Sequence, residues 1–148
     1  MSDAPPDTHF DVIVIGGGPA GYGAALYGSA AGLNIAVVEK DKVGGTCLHR
    51  GCIPAKELLE TAHVFRTVSE AAKFGVESSA PSLAFATTMA RKREVVTGLF
   101  NGLSGLLKNR KVTVFGATGT LQADRSVHLS SPDGSSQTIT GDAVILAS

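Results

Sequence analysis

The first forty positions contain two short apolar runs separated by a longer segment of small and apolar residues. One run with β-branched residues spans Phe10 to Ile15, and another spans Ile35 to Val38. Such short runs are typical of strands buried in a parallel sheet. Between them, residues 22–31 are rich in Ala and Leu, which favours a helix. The pattern therefore predicts a strand–helix–strand unit with two parallel strands.

The middle of the chain carries two longer patterns of helical period. Apolar positions recur close to one helix face in Glu57–Ala72 and again from Leu83 to about Asn109. Ala80-Pro81-Ser82 separates the two as a loop, and three glycines weaken the second helix. We interpret the charged cluster Arg91–Glu94 as the solvated face of that helix, because charged residues normally line the exposed side.

The last forty residues return to short apolar runs separated by turn residues. Val112–Phe115 predicts a third strand followed by a turn at Gly116–Gly119, and Asp142–Ala147 predicts a final strand. A small antiparallel insertion is expected between them, with Pro132-Asp133-Gly134 as its hairpin turn. Its short strands are predicted at Leu121, at Val127–Leu129 and at Thr138–Ile139. Together the elements predict an α/β fold, a Rossmann-like domain with a parallel sheet and a small antiparallel β insertion.

Composition and charge narrow the class of protein. Hydrophobic residues make up 43% of the 148 positions, enough for one domain, which we place at residues 10–148. Thirteen basic and thirteen acidic residues leave no net charge, so nothing points to nucleic acid or to an anionic membrane surface. Residues 1–9 are polar and are expected to form a disordered tail without a signal region. No run approaches the roughly 20 apolar residues of a membrane span, and we expect a soluble cytoplasmic protein.

A glycine motif joins the first predicted strand to the first predicted helix. Gly16, Gly18 and Gly21 form a GxGxxG, and the acid Glu39 lies 23 positions after Gly16, directly behind the second strand. In a dinucleotide-binding unit, these glycines allow a tight turn, a close approach of a pyrophosphate and close packing of helix on strand. The acid accepts hydrogen bonds from the adenosine ribose, and its charge would repel a 2′-phosphate. The motif therefore predicts a site for FAD or NAD that excludes NADP.

Both cysteines lie in one short segment, five positions apart at Cys47 and Cys52. The spacing fits neither a zinc knuckle nor a CxxC redox motif, and a regular helix would separate the two Cα atoms by about 7.5 Å, beyond the ~7 Å limit for a disulfide. A bridge therefore requires irregular backbone, which Gly51 permits, and Pro54 suits the first turn of a following helix. Closing so small a loop stabilises a fold by only about 2 kcal/mol, so a bridge here favours thiol–disulfide exchange over a structural role. Two unpaired thiols are the alternative.

The two motifs together carry a family resemblance. Gly16 to Gly21 and Glu39, followed by Gly-Gly-Thr-Cys-x-x-x-x-Cys-x-Pro-x-Lys over residues 44–56, resemble the N-terminal part of the FAD-dependent pyridine nucleotide-disulfide oxidoreductases. The resemblance covers residues 10–148, and within the family the cysteine segment is most similar to dihydrolipoamide dehydrogenases. It implies an enzyme that oxidises dihydrolipoamide through a Cys47–Cys52 redox disulfide and FAD, with NAD as the final acceptor.

The resemblance also implies roles for individual residues. Cys47 would exchange with the dithiol substrate, Cys52 would lie next to the flavin ring, and a helix N-terminus would favour the thiolate form of both. Lys56 would direct a cation towards the flavin, and Gly119 would present backbone to the adenosine end. The cofactor-binding residues expected from the glycine motif and from the resemblance are Gly16, Gly18, Gly21, Glu39, Lys40, Gly45, Thr46, Lys56, Gly119 and Ser148.

The chain is expected to lack other parts of the machinery. In the resembled family, the histidine base and the nicotinamide domain come from later in a longer chain, so this chain looks like an N-terminal fragment that is inactive alone. His49, between the cysteines, is expected to have a structural or surface role, and no metal site is expected. Implied partners are a lipoyl group or another disulfide or dithiol substrate, a second subunit in a homodimer, and a 2-oxo acid dehydrogenase complex. The alternatives are a glutathione, mycothiol or mercuric reductase, or a non-catalytic flavin-binding redox sensor.

Overall fold

The structure is a computed structural model that describes residues 8–148. The described residues form two compact units, one made of residues 8–45 and 101–148 and the other of residues 46–100. We call them the sheet unit and the helical unit. Residues 1–7 of the expected tail lie outside the described residues, and His9, also assigned to that tail, already belongs to the first strand. No helix in the described part of the chain is long and apolar enough to cross a membrane.

The sheet unit contains one six-stranded sheet, and its elements confirm the predicted α/β class. The strand order is β3-β2-β1-β6-β5-β4, with the first four strands parallel and the last pairs antiparallel. The elements are β1 (His9–Ile15), α1 (Pro19–Ala30), β2 (Ile35–Val38), β3 (Thr113–Phe115), β4 (Thr118–Leu121), β5 (Val127–Ser130) and β6 (Ser136–Leu146).

The parallel strands all end at one edge of the sheet. Ile15, at the end of β1, pairs with Val38 on one side and with Leu146 on the other, and Val38 pairs with Phe115 of β3. The connection through α1 leads to β2, whereas β6 adds on the opposite side of β1. The strand order therefore reverses at β1, and ligands of open α/β sheets bind at the carboxyl ends of the strands beside such a point.

The last predicted strands are one continuous strand, which corrects the prediction of separate strands at Thr138–Ile139 and Asp142–Ala147. The first part of β6 pairs antiparallel with β5, and the part from Thr140 onwards pairs parallel with β1. Gly141 lies at the change of partner, where an added Cβ would be 3.0 Å from the side chain of Ile13. Gly141 and the polar Asp142 interrupt the apolar pattern, although the strand pairs with β1 on either side of Asp142.

Gly119 corrects a second prediction, because it lies in β4 and not in a turn after β3. It pairs with Leu129 of β5, and an added Cβ would be 3.0 Å from Cγ1 of Val38. The Thr-Gly-Thr sequence around it has no apolar run, so its strand character comes from pairing with β5. The hairpin turn predicted at Pro132-Asp133-Gly134 is confirmed, with Gly134 at φ +85°.

The core of the protein lies in the sheet unit. Side chains from β1, β2, β5 and β6 meet there, and the largest members are almost fully buried. The alternation of buried and exposed positions on β5 (Val127 and Leu129 inward) shows that the antiparallel insertion covers this core. The cluster consists of Phe10, Ile13, Ala36, Val38, Ala117, Val127, Leu129 and Ile139.

The helical unit confirms the two predicted long helices. Its elements are α2 (Gly45–His49), α3 (Cys52–Glu70) and α4 (Phe85–Asn109). The first residue of α2 and the last nine residues of α4 belong to the sheet unit. A 3₁₀ turn at Ala71–Phe74 ends at Gly75, which adopts φ +75°. Within the predicted charged cluster, Arg93 and Glu94 are exposed, and Arg91 places its Nε 3.1 Å from Oε2 of Glu57 on α3.

Candidate functional site

The turn between β1 and α1 requires two of the three glycines of the motif. Gly16 has φ +106°, and an added Cβ would collide with the carbonyl oxygen of Ala147, at the end of β6. An added Cβ on Gly21 would collide with the carbonyl oxygen of Gly16. The N–H of Gly16 donates to the carbonyl oxygen of Val38 at 2.8 Å. The backbone of the turn is thus packed so closely on the strand ends and on α1 that no side chain fits at these two positions.

The beginning of α1 presents free amide groups at the carboxyl edge of the parallel strands. Gly18 is the N-cap residue and has no side-chain cap, and Pro19 follows at the first helical position. Within the described part of the chain, the N–H of Gly18 has no hydrogen-bond partner. An added Cβ on Gly18 would meet nothing within 4 Å, so the space beside its Cα is open. Free amides at a helix N-terminus suit an anion such as a pyrophosphate.

Glu39 is tied to this turn by its carboxylate. Its Oε2 accepts a hydrogen bond of 2.8 Å from the N–H of Gly17, and its Oε1 accepts one of 2.9 Å from the N–H of Asp41. The N–H of Glu39 donates to the carbonyl oxygen of Phe115 at 3.0 Å, so the acid is held at the ends of both β2 and β3. Glu39, the predicted ribose acceptor, is therefore bonded to the glycine turn through the N–H of Gly17.

Gly44 and Gly45 contact the same turn from the segment before the cysteines. The N–H of Gly44 donates to the carbonyl oxygen of Gly17 at 2.7 Å. Gly45 has φ +56°, and an added Cβ would lie 2.9 Å from the Cα of Gly18. Both residues use backbone conformations that favour glycine, because Gly44 has φ +100°. Gly44 and Gly45 thus pack directly on the glycine turn.

Three further predicted binding residues lie in the sheet unit. Ser148 follows β6, and its N atom would be 3.0 Å from a Cβ added at Gly16, which places it at the glycine turn. Lys40 is exposed and follows Glu39 directly. Gly119 packs against the side chains of Val38 and Ile15, near the ends of their strands. Their roles towards a cofactor stay predictions.

The cysteine segment forms a disulfide, which decides between the two alternatives left open by the spacing. Cys47 lies in α2, which ends at His49, and Cys52 is the first residue of α3. Gly51 between the helices has φ −125° and ψ −106°, and this irregular residue brings the two Cα atoms to 4.7 Å. An added Cβ on Gly51 would be 3.2 Å from the carbonyl oxygen of Thr46, so glycine allows the two helices to approach. Cys52 is exposed and Cys47 is half-buried.

The remaining predicted residues of the helical unit flank the bridge. Thr46 is exposed, and its carbonyl oxygen accepts a hydrogen bond of 2.8 Å from the N–H of Arg50. Lys56 lies on α3, four positions after Cys52, and is exposed. The ring of His49 packs edge-on against Phe100, with 5.4 Å between ring centroids. This contact agrees with the structural role expected for His49.

Comparison with known proteins identifies the family. The profile of the family described as pyridine nucleotide-disulphide oxidoreductase matches residues 10–148. The chain belongs to this family. It is therefore part of an oxidoreductase family, and the resemblance in its motifs is confirmed over the whole predicted domain.

Several relatives in this family carry the name dihydrolipoyl dehydrogenase. The chain is 48% identical over 114 residues to one from Bacillus subtilis, covering 77% of the chain and 24% of that protein. It is 37% identical over 139 residues to one from Zymomonas mobilis, covering 94% and 30%. It is 39% identical over 139 residues to a mitochondrial one from Dictyostelium discoideum, covering 93% and 28%. The chain thus spans between a quarter and a third of the length of these curated relatives.

Two residues of the candidate site, Gly17 and Gly44, were not predicted from the sequence. Gly17 occupies a variable position of the GxGxxG motif, yet its N–H binds Glu39 and an added Cβ would be 3.0 Å from the Glu39 Cβ. Gly44 was quoted as part of the cysteine segment, but no contact with the glycine turn was inferred for it. The signal available in the sequence was the unbroken run of three glycines at 16–18 and the glycine pair at 44–45. Their partners lie more than twenty positions away, so only the fold reveals the contacts.

Proposed function

We propose that this chain is the part of a dihydrolipoamide dehydrogenase that binds FAD and carries the redox disulfide. The observation that carries the proposal is the bridge between Cys47 and Cys52, which begins two residues after the Gly45 that packs on the glycine turn. Two trans peptide units limit the Cα of Cys47 to within about 7.6 Å of the Cα of Gly45. The name of the relatives supports a lipoyl dithiol as the substrate.

The glycine turn and Glu39 fit the adenosine and pyrophosphate part of FAD. The N–H of Gly18, which has no partner in the described part of the chain, lies at a helix N-terminus, which suits a phosphate. The Glu39 carboxylate has lone pairs left beyond its bonds to Gly17 and Asp41, and these can accept ribose hydroxyl groups. By family resemblance, Thr46 and Lys56 would lie towards the flavin. When bound, FAD supplies a two-electron acceptor for the reduced thiols, with NAD as the final acceptor in the complete enzyme.

The disulfide supplies the thiol chemistry of the proposal. A thiolate of the dithiol substrate attacks the sulphur of Cys47, and Cys52 leaves as a thiolate. The second substrate thiolate then attacks the substrate sulphur of the mixed disulfide, which releases Cys47 as a thiolate and closes the cyclic substrate disulfide. The substrate loses two electrons and two protons, and the protein disulfide gains the two electrons. Cys47 lies within α2, and Cys52 begins α3, where the free amides stabilise a thiolate.

The proposal extends to partners and location as the resemblance implies them. The complete enzyme would be a cytoplasmic homodimer that accepts lipoyl groups, including those of a 2-oxo acid dehydrogenase complex. A glutathione, mycothiol or mercuric reductase would share the glycine turn and the bridge. For the 148 residues alone, we expect a stoichiometric reaction of the disulfide but no turnover, because the family's nicotinamide site and histidine base lie outside them.

A stoichiometric titration tests the proposal on the chain as it stands. The oxidised protein is incubated with FAD, freed of unbound flavin, and then titrated without oxygen with dihydrolipoamide. We expect flavin absorbance to be retained before the titration. The first dihydrolipoamide per chain should then yield either two protein thiols or one reduced flavin, because the thiols can pass their two electrons to FAD. Cys47→Ser and Cys52→Ser are the controls, and neither should oxidise the substrate.

Three outcomes would contradict parts of the proposal. A protein that retains no FAD and whose disulfide does not react with dihydrolipoamide is not the proposed flavin and disulfide module. Faster reduction by glutathione or mycothiol than by dihydrolipoamide at equal thiol concentration favours one of the related reductases. Sustained reduction of NAD by the 148 residues would contradict the expected lack of turnover.

A further inference from the structure

We infer that Gly45, together with Gly44, is a positioning residue that orients the Gly17–Gly18 peptide so that its amide faces a phosphate. The inference rests on the proposed dinucleotide site and deepens it. It assigns to the glycine pair before the cysteines a function in anion binding that needs no direct contact with the ligand. The contacts that carry it all lie within the sheet unit.

The peptide group between Gly17 and Gly18 is oriented by the bond that its carbonyl oxygen accepts. The carbonyl oxygen of Gly17 accepts the N–H of Gly44 at 2.7 Å. In a planar trans peptide, the carbonyl and the following N–H point in opposite directions. The bond to Gly44 therefore turns the N–H of Gly18 away from Gly44. This amide has no hydrogen-bond partner in the described part of the chain.

The preceding peptide group, between Gly16 and Gly17, is held by a second bond. The N–H of Gly17 donates to Oε2 of Glu39 at 2.8 Å, which fixes Gly17 from β2. Glycines have wide conformational freedom, so a run of three would not hold one orientation by itself. Gly44 and Glu39 together hold Gly17 through its carbonyl and its amide. The free Gly18 amide is thereby preorganised, which lowers the cost of ordering the turn when a ligand binds.

Residue 45 must be glycine because of its contact with Gly18. A Cβ at this position would be 2.9 Å from the Cα of Gly18 and 3.4 Å from its N atom. Both are backbone atoms, so the clash cannot be relieved by the movement of a flexible side chain. A side chain at 45 must push the start of α2 away from the turn and stretch the Gly44–Gly17 bond. This steric requirement for glycine at residue 45 is separate from the requirement set by its positive φ, because the strain of a left-handed backbone alone would not push any atom against Gly18.

The molecule contains a matched control for the backbone conformation. Gly75 has φ +75°, similar to the +56° of Gly45, but an added Cβ there would meet nothing within 4 Å. Gly75→Ala therefore adds the strain of a left-handed alanine without a steric contact. Comparing Gly45→Ala with Gly75→Ala isolates the contact with Gly18.

The first measurement uses no ligand. Amide hydrogen exchange, followed by NMR, reports the Gly44 hydrogen bond directly. We expect Gly44 to exchange about ten- to a hundredfold faster in Gly45→Ala than in the original chain, because overpacking of a close contact has an effect of that size. In Gly75→Ala the Gly44 rate should be unchanged. Equal Gly44 rates in all three proteins would overturn the inference, whether or not FAD binds.

The second measurement separates phosphate binding from general damage. Binding of ADP and of adenosine is compared by calorimetry, and the ratio of the two affinities isolates the contribution of the phosphates. We expect Gly45→Ala to lower this ratio about tenfold or more and to leave adenosine binding unchanged, while Gly75→Ala retains the ratio. A loss of adenosine and ADP affinity by the same factor would indicate a merely structural role and would refute the positioning role.

The original chain alone provides the remaining test if Gly45→Ala does not fold. A phosphate on the Gly18 amide should fix the peptide and slow exchange at Gly44 when ADP is added, with no change at Gly75. Unchanged Gly44 exchange with ADP bound would overturn the inference. Failure to bind ADP and FAD, with Gly44 nevertheless protected in the free protein, would instead contradict the proposed function and leave the positioning of the peptide in place.

Discussion

The internal contacts that stabilise the sheet unit differ from those within the helical unit. The sheet unit contains a buried cluster in which Ile13, Val127 and Leu129 are fully excluded from solvent. In residues 46–100, all of which the structure describes, the single buried hydrophobic residue is Leu48, and α3 has no buried residue along its 19 positions. Apolar side chains such as Leu59 and Phe74 are 68% and 82% exposed there.

The helical unit is instead connected by a few specific contacts. These are the Cys47–Cys52 bridge, the ion pair of Glu57 with Arg91 and the ring contact between His49 and Phe100. Nε of Arg91 and Oε2 of Glu57 are close enough for an ion pair but are not oriented for a hydrogen bond. Oε2 of Glu57 is buried and has no hydrogen bond among the described residues. The comparison indicates that a buried apolar core stabilises the sheet unit, whereas a disulfide, an ion pair and a ring contact connect elements of the helical unit.

The largest expected effect comes from removing core volume in the sheet unit. Ile13→Ala should lower the free energy of unfolding by about 2–5 kcal/mol, because Ile13 has 0% exposure and its truncation leaves a cavity. Leu59→Ala, the matched change on an exposed position of α3, should stay within about 0.5 kcal/mol. Urea unfolding of both variants measures the difference. Equal losses would mean that the two units share one core, and the comparison would fail.

An intermediate effect is expected from reducing the bridge. Reduction should lower the stability of the helical unit by about 2 kcal/mol, the chain-entropy value for so short a loop. Hydrogen exchange should accelerate at amides of α3, while amides of β1 keep their rates, because β1 depends on the buried cluster. The Cys47→Ser, Cys52→Ser double variant is the control and should not respond to reductant. Acceleration in β1 of the same size would show that the bridge supports the sheet as well.

The smallest effect is expected at the turns of the antiparallel insertion. The Ser135 hydroxyl donates to Oδ1 of Asp133 at 2.6 Å and the Ser135 N–H donates at 2.8 Å, and these bonds lower the pKa of Asp133. Because the pKa of Asp133 is lower in the folded protein, its carboxylate stabilises the turn at pH values above the ordinary pKa of an aspartate. This contribution is lost as the pH falls through the pKa of the folded state. In Ser135→Ala, a carboxyl titration by NMR should show the pKa of Asp133 moving up. An unchanged pKa would exclude the hydroxyl bond as its main cause.

The elements with uninterrupted patterns could be predicted from the sequence. Ile35–Val38 was predicted with its observed ends, and β1, α1, α3 and α4 were predicted to within a few residues. Gly119 was misassigned because a Thr-Gly-Thr strand has no apolar pattern, and its strand depends on pairing with Leu129. The continuity of β6 was missed because Gly141 and Asp142 interrupt the pattern, although the backbone pairs with β1 on either side.

The chemistry of the site followed a similar division. The spacing of Gly16, Gly21 and Glu39 was enough to predict the turn after β1, where only glycine fits at residues 16 and 21. The binding of a dinucleotide at this turn stays a prediction. The cysteine spacing left the disulfide open, since five positions can be bridged or separated. The backbone at Gly51 decided it by breaking the helix between Cys47 and Cys52.

The sequence alone determined the strands, the long helices and the family motifs, because these depend on local period, on turn-forming residues and on residue types at fixed spacing. The tertiary structure decided which distant backbones touch. It placed Gly44 on Gly17 and Gly17 on Glu39, and it brought the end of β6 against Gly16. Such contacts join positions that no local pattern relates, and they are specified by the absence of a side chain, which leaves little trace in a pattern of polar and apolar residues.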